Sequence, residues 1–123
     1  MTEQSRAPED NQVLLRGLLA VEPHTRTLPS GDELCSFRLT VPRPESSYGR
    51  ARSDSIDCAT TRSGARKAIG RCAPGERIEV SGSLRRRFWR GAGGTPASRY
   101  EVEVIRVRRL DTASKPRGAA TGR

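Results

Sequence analysis

The segment Leu84-Arg85-Arg86-Arg87-Phe88-Trp89-Arg90 holds the side chains best suited to engage a ligand. Guanidinium groups bind phosphate oxygens bidentately and stack on flat rings. An exposed indole offers a face on which a base can stack. In an extended strand alternate side chains point the same way, so Arg85, Arg87 and Trp89 share one face while Leu84 and Phe88 are expected to point to the core. Residues 85–99 contain five arginines and no acidic residue. Two cations flanking an aromatic ring suit an alternation of phosphate and base, the chemistry of a single nucleic-acid strand.

Other reactive side chains form no comparable group. Cys35, Cys58 and Cys72 are odd in number and widely spaced, with no close pair of the kind that holds zinc or a redox disulfide. They are expected to be free, buried thiols. A zinc site made of the three cysteines and His24 lacks the close ligand pairs of structural zinc, so no metal or cofactor is expected. His24 lies in a turn, and Asp54 and Asp57 stand near basic residues as surface ion-pair partners would. No phosphate-cradling glycine loop or nucleophile elbow is present, and the chain is not expected to be an enzyme.

The whole composition agrees with a polyanionic partner. Twenty-three basic residues oppose 14 acidic ones for a net charge of +9, and only Lys67 and Lys115 of the basic residues are lysines. A positive surface attracts nucleic acid and speeds encounter with it. With 123 residues, a third of them hydrophobic, the chain has material for one modest core. It has no run of the ~18 apolar residues a membrane span needs. Residues 1–10 are polar and carry Glu3, Glu9 and Asp10, unlike a secretory signal, so a cytoplasmic, nucleoid-associated protein is expected.

The elements that must position the aromatic stretch are mostly strands. Residues 1–10 read as a disordered arm. Gln12 to Val21 is apolar and strand-like with a kink at Gly17, and Leu28-Pro29-Ser30-Gly31-Asp32 carries turn chemistry. Cys35, Phe37, Leu39 and Val41 alternate with Ser36, Arg38 and Thr40, which predicts a half-buried strand with Arg38 on the wet face. Pro42 to Ser53 is a basic loop. Asp54 to Thr61 predicts a third strand, and Ala65, Ala68, Ile69 and Cys72 have the spacing of a short helix over 63–72 with Ser63 as N-cap. Glu76 to Trp89 and Tyr100 to Leu110 predict two further strands around a glycine-rich loop at 90–97. The phase shift at Ile105 and Val107 predicts a β-bulge. Residues 111–123 read as a disordered basic tail. The order β-β-β-α-β-β fits an all-β fold with one short helix, the five-stranded Greek-key OB barrel, over residues 11–110.

Several blocks resemble the bacterial single-stranded DNA-binding protein family. Asn11-Gln12-Val13-Leu14-Leu15-Arg16-Gly17-Leu18-Leu19 is similar to its opening strand, and Glu22-Pro23 through Arg26 to Gly31 to its following loop. Phe37 to Val41 is similar to its second strand. Gly75-Glu76-Arg77-Ile78-Glu79-Val80-Ser81-Gly82-Ser83-Leu84-Arg85 with Trp89 is similar to its Gly-x-x-Val-x-Val-x-Gly-x-Leu-Arg-x-Arg-x-Trp block, and Tyr100-Glu101-Val102 to its closing strand. The resemblance implies an OB fold, binding of single-stranded DNA and assembly into dimers or tetramers. Where the family carries large aromatics this chain has Ile56 and Arg62, and Pro42-Arg43-Pro44 replaces a loop tryptophan for which Tyr48 is a substitute. Weaker stacking and a steeper salt dependence follow. The family's acidic tip, which docks replication and repair proteins, has no counterpart in the basic end Lys115 to Arg123.

The expected function is therefore stoichiometric: coating and protecting single-stranded DNA in replication, recombination or repair, without strong sequence preference. Arg38, Arg85 and Arg87 neutralise phosphates, helped by Arg90. Trp89 stacks on a base, and Tyr48, Arg43, Arg50 and Arg52 close over the strand, with Ile56 and Arg62 completing the surface. Two alternatives share these features. One is an RNA-binding OB domain, although the aromatic-rich strand of cold-shock domains is missing. The other is a tail-less protein-interaction subunit of primosome or recombination assembly.

Overall fold

The computed structural model describes residues 9–110 except 46, 47 and 51. Residues 1–8 of the expected arm and the whole expected tail, 111–123, lie outside the described residues. The elements in chain order are β1 (Val13–Leu19), β2 (His24–Thr27), β3 (Glu33–Pro42), β4 (Ser53–Thr60), α1 (Ser63–Gly70), β5 (Arg77–Arg90) and β6 (Pro96–Arg109). Hydrogen-bonded neighbours run β1-β5-β6-β4-β3-β2, and β1 also pairs with β3. That last pairing closes β1, β5, β6, β4 and β3 into a five-stranded barrel, as the sequence order predicts. β2 is a sixth strand outside the ring. The sequence reading treats it as part of the turn around Pro29 and Gly31, since His24-Thr25-Arg26-Thr27 carries no hydrophobic period; all four residues are exposed. It pairs with β3 from His24↔Ser36 to Thr27↔Glu33. The predicted turn chemistry joins the two: Gly31 has φ of 95°, and its N–H donates to the Leu28 carbonyl at 2.8 Å.

The core is filled by alternate residues of the ring. Phe37 and Leu39 of β3, Ile78 and Val80 of β5, and Val102 and Val104 of β6 are buried, and Leu19 of β1 joins them. Helix α1 covers the core through Ala65 and Ile69. Its N-cap is Arg62 rather than the expected Ser63, and no side chain caps it. The Arg62 N–H donates to Thr60 Oγ1 at 3.1 Å, which fixes the chain where it enters the helix without capping it.

Ring closure depends on Gly17. A Cβ there would lie 2.4 Å from the Thr40 carbonyl oxygen, so only glycine lets β1 cross β3 at this distance. The predicted bulge is present. Ser81 pairs with Arg106 and Gly82 with Val104, leaving Ile105 unpaired. On the outside of β1, Arg16 and Arg108 both donate to Glu79, at 2.7 and 3.0 Å, and hold its carboxyl below the usual range.

The three cysteines are buried and free. Burial, with the Asp57 and Glu101 carboxylates adding to it, pushes the Cys58 thiol up to about 12, and burial also raises Cys35 and Cys72. The thiolate is the reactive form. Native protein at pH 8 is therefore expected to resist alkylation at all three positions until denaturant is added, with Cys58 labelled last. Mass spectrometry of the labelled peptides checks this, and prompt native labelling of Cys58 would contradict the packing described.

Candidate nucleic-acid interface

β5 and β6 are longer than the barrel. The parallel pairing of β4 with β6 ends at Cys58↔Val102, whereas β5 and β6 remain paired out to Arg90↔Pro96. Beyond Leu84↔Val102 they continue as a two-stranded arm; at its base the Trp89 side still rests on the barrel, where Glu101 is buried and Arg99 reaches Asp57 of β4, while the opposite side faces solvent. Asn11 marks the point of departure: its side-chain amide donates to the Leu84 carbonyl at 2.8 Å, and the Leu84 N–H donates to Asn11 Oδ1 at 2.9 Å. One side chain thus satisfies the backbone where β1 ceases to pair. The arm closes through Gly91–Thr95, where Gly93 and Gly94 have φ of 78° and 80°. This turn is shorter than the loop expected over 90–97.

The arm corrects part of the sequence reading. Arg85, Arg87 and Trp89 do share a face, as alternation requires. Leu84 and Phe88 do not reach the core, however, and are 44% and 73% exposed. Alternation correctly places them on the opposite side, but the core has ended before that side reaches Phe88.

On the Trp89 face each arginine is matched to a carboxylate. Arg85 donates to Glu103 at 2.8 Å, and Arg87 pairs with the buried Glu101. Arg38 of β3 donates to Asp57 of β4 at 3.1 Å, and Arg99 of β6 lies 3.8 Å from the same Asp57. The Arg99 guanidinium also sits over the Trp89 ring, 5.8 Å from its centroid. Trp89, Arg87, Arg99, Asp57 and Arg38 therefore form one connected surface from the arm onto the barrel. A cleft of ≈ 200 Å³ opens beside it, lined by Val21, His24, Ser36, Arg38, Arg99 and Glu101 among others. This face offers a half-exposed ring, several guanidiniums and carboxylates that hold them in place. It can stack a base and exchange carboxylate for phosphate at the arginines.

The remaining expected residues are distributed differently. Tyr48 (93% exposed), Arg50 and Arg52 stand out on the loop after β3. Arg43 is bound within that loop: it donates twice to Asp54 Oδ1, at 3.0 and 2.9 Å, and once to the Tyr48 carbonyl. It braces the loop instead of extending from it. Ile56 is opposite Leu39 and is half-buried, packing against the core rather than standing free on the surface. Arg62 is exposed at the start of α1. Arg90 lies on the Phe88 side of the arm and donates to the Gly94 carbonyl at 2.7 Å, closing its own turn. The sequence reading missed Arg99, Glu101 and Glu103 as members of the site. Glu101 and Glu103 alternate in phase with Tyr100 and Val102, but their partners become evident only when β5 is paired with β6.

The single-strand binding protein family model matches residues 10–110. The chain belongs to this family. A single-stranded DNA-binding protein of Oceanobacillus iheyensis is 29% identical over 88% of this chain and 68% of its own length. Single-stranded DNA-binding protein B of Bacillus subtilis is 30% identical over 89% of this chain and 96% of its own. In structure the chain is similar to the Plasmodium falciparum SSB solved in complex with ssDNA, with a TM-score of 0.70 and 21% identity over 86% of this chain and 99% of that one. That likeness concerns the fold.

Proposed function

We propose that this family member binds single-stranded DNA stoichiometrically and without base readout, coating exposed strands during replication, recombination or repair and carrying out no chemical step. The working unit is the barrel of residues 11–110. The observation that carries the reading is the connected surface from Trp89 through Arg87 and Arg99 to Arg38, an aromatic platform set among cations. Family membership supports it. Such surfaces hold any sequence, since every base has a face to stack and every nucleotide a phosphate. Leu14 and Leu18 are exposed on the outer side of β1 and support assembly with further copies of the chain. A nucleoid location follows from binding DNA. Among the described residues no helix is long and apolar enough to cross a membrane.

The ion pairs shape the binding. A phosphate approaching Arg85 must displace Glu103, so part of the electrostatic gain is offset. Glu103→Gln releases Arg85, both partners being about half exposed. It is expected to tighten binding of oligo-dT about threefold, the scale of a surface ion pair. Anisotropy titration of a labelled oligonucleotide measures this, and weaker binding by the variant would count against Arg85 as a phosphate contact.

The proposal as a whole is tested by titrating the protein with oligo-dT, a matched duplex and oligo-U across a salt series. Trp89 is the sole tryptophan, so its fluorescence reports on the site. Strong quenching by oligo-dT with little by duplex is the expected result. Equal, purely salt-dependent binding of every polyanion without quenching would overturn the stacking site. Preferential quenching by oligo-U would favour RNA.

A further inference from the structure

The opposite side of the arm carries a second arrangement of aromatic and cationic groups. The Arg86 guanidinium lies over two rings at once, 5.2 Å from the centroid of Phe88 and 5.4 Å from that of Tyr100. Its Nε and Nη2 donate to Ser98 Oγ at 3.2 and 3.0 Å, which holds the planar group in position. Phe88 and Tyr100 are 73% and 58% exposed, more than Trp89 at 46%. In contrast to Arg85, Arg87 and Arg99, Arg86 makes no ion pair with a carboxylate among the described residues. The charge on this side is therefore not offset at close range, and both rings remain more than half exposed beside Arg86.

We infer that Arg86, Phe88 and Tyr100 form a second DNA-contacting surface, so that a single strand binds both sides of the arm. The inference rests on the proposed function and extends it to a site that alternation alone assigns to the core. A base stacks on Phe88 or Tyr100, and a phosphate meets Arg86 without having to displace a carboxylate. The two sides are linked along the edge of β5 by a hollow of ≈ 430 Å³ lined by Arg85, Arg86, Arg87, Phe88 and Glu103. Its lining residues come from both sides, which gives the strand a route around the edge. Charge selects the occupant. A second copy of the chain packed face to face here would bring the Arg86 and Arg90 side chains of the two copies together, whereas a polyanion meets complementary charge.

The test compares the unmodified protein with Phe88→Ala, Tyr100→Ala and Arg86→Gln. Affinity for labelled oligo-dT is read by anisotropy over a salt series, Trp89 quenching is followed in parallel, and molecular mass is measured by light scattering. Each aromatic variant is expected to bind about tenfold more weakly. Quenching of Trp89 at saturation should stay as it is in the unmodified protein. Arg86→Gln should reduce the slope of log affinity against log salt by about one unit. Wild-type affinity and slope in all three variants, with Trp89 quenching intact, would overturn this inference and leave the proposed function standing. A loss of affinity matched by a change in molecular mass would overturn it in favour of a contact between chains. Failure of the unmodified protein to bind oligo-dT at all would overturn both readings.

Discussion

Gly82→Ala is expected to destabilise the barrel by about 3 kcal/mol, at the upper end of what overpacking costs. A Cβ at this position would lie 2.0 Å from the Glu103 carbonyl oxygen, 2.9 Å from its carbon and 3.0 Å from Val104 Cα. All three atoms are backbone, so no side chain can rotate away. The two strands would have to separate next to the bulge at Ile105, where the ladder already skips a residue. Gly64→Ala is the control. A Cβ there meets nothing within 4 Å in the first turn of α1, and replacing glycine in a helix is neutral or mildly stabilising. Urea unfolding monitored by Trp89 fluorescence distinguishes the two. An unchanged midpoint for Gly82→Ala would mean that β5 and β6 are not held as closely as described. The consequence also reaches function. The bulge sets the register of the arm, and a slip of one residue would exchange its two sides, placing Trp89 where Phe88 now stands.

Trp89→Ala is expected to weaken oligo-dT binding by about 2 kcal/mol, or about thirtyfold, the middle of the range for loss of one stacking platform. The salt slope should remain nearly unchanged because an indole releases no counterion. This combination separates stacking from charge: Arg86→Gln changes the slope, and Trp89→Ala changes the affinity at constant slope. Because Trp89 is about half exposed on an arm outside the core, the variant should keep its fold, with unfolding close to that of the unmodified protein. Anisotropy of a labelled oligonucleotide is the readout, since the variant lacks the fluorophore. Full affinity in Trp89→Ala would remove the indole from the binding surface and leave binding to the arginines. Arg87→Ala is a poorer probe. It would leave the buried Glu101 carboxylate without its ion-pair partner, so lost binding and lost stability would be mixed.

Local chemistry determined much of this protein. Alternation in Cys35 to Val41 and in Ile78 to Val80 specified which residues fill the barrel. The Pro29–Gly31 turn, the helix carrying Ala65 and Ile69, the bulge at Ile105 and the shared face of Arg85, Arg87 and Trp89 were all legible, because each depends on spacing along one segment. What tertiary structure decided depends on neighbours distant in the chain. Alternation states that Leu84 and Phe88 share the side of Ile78 and Val80; it does not state how far the core extends along that side. The core ends where β4 stops pairing with β6 and where Asn11 takes over from β1, so the same side changes from buried to exposed within one strand. For the same reason Ile56 packs inward opposite Leu39, and the arginines of the Trp89 face are paired across strands with carboxylates that the sequence keeps 14 to 42 positions away. Spacing along the chain sets the direction of a side chain, and only the assembled barrel sets what lies in that direction.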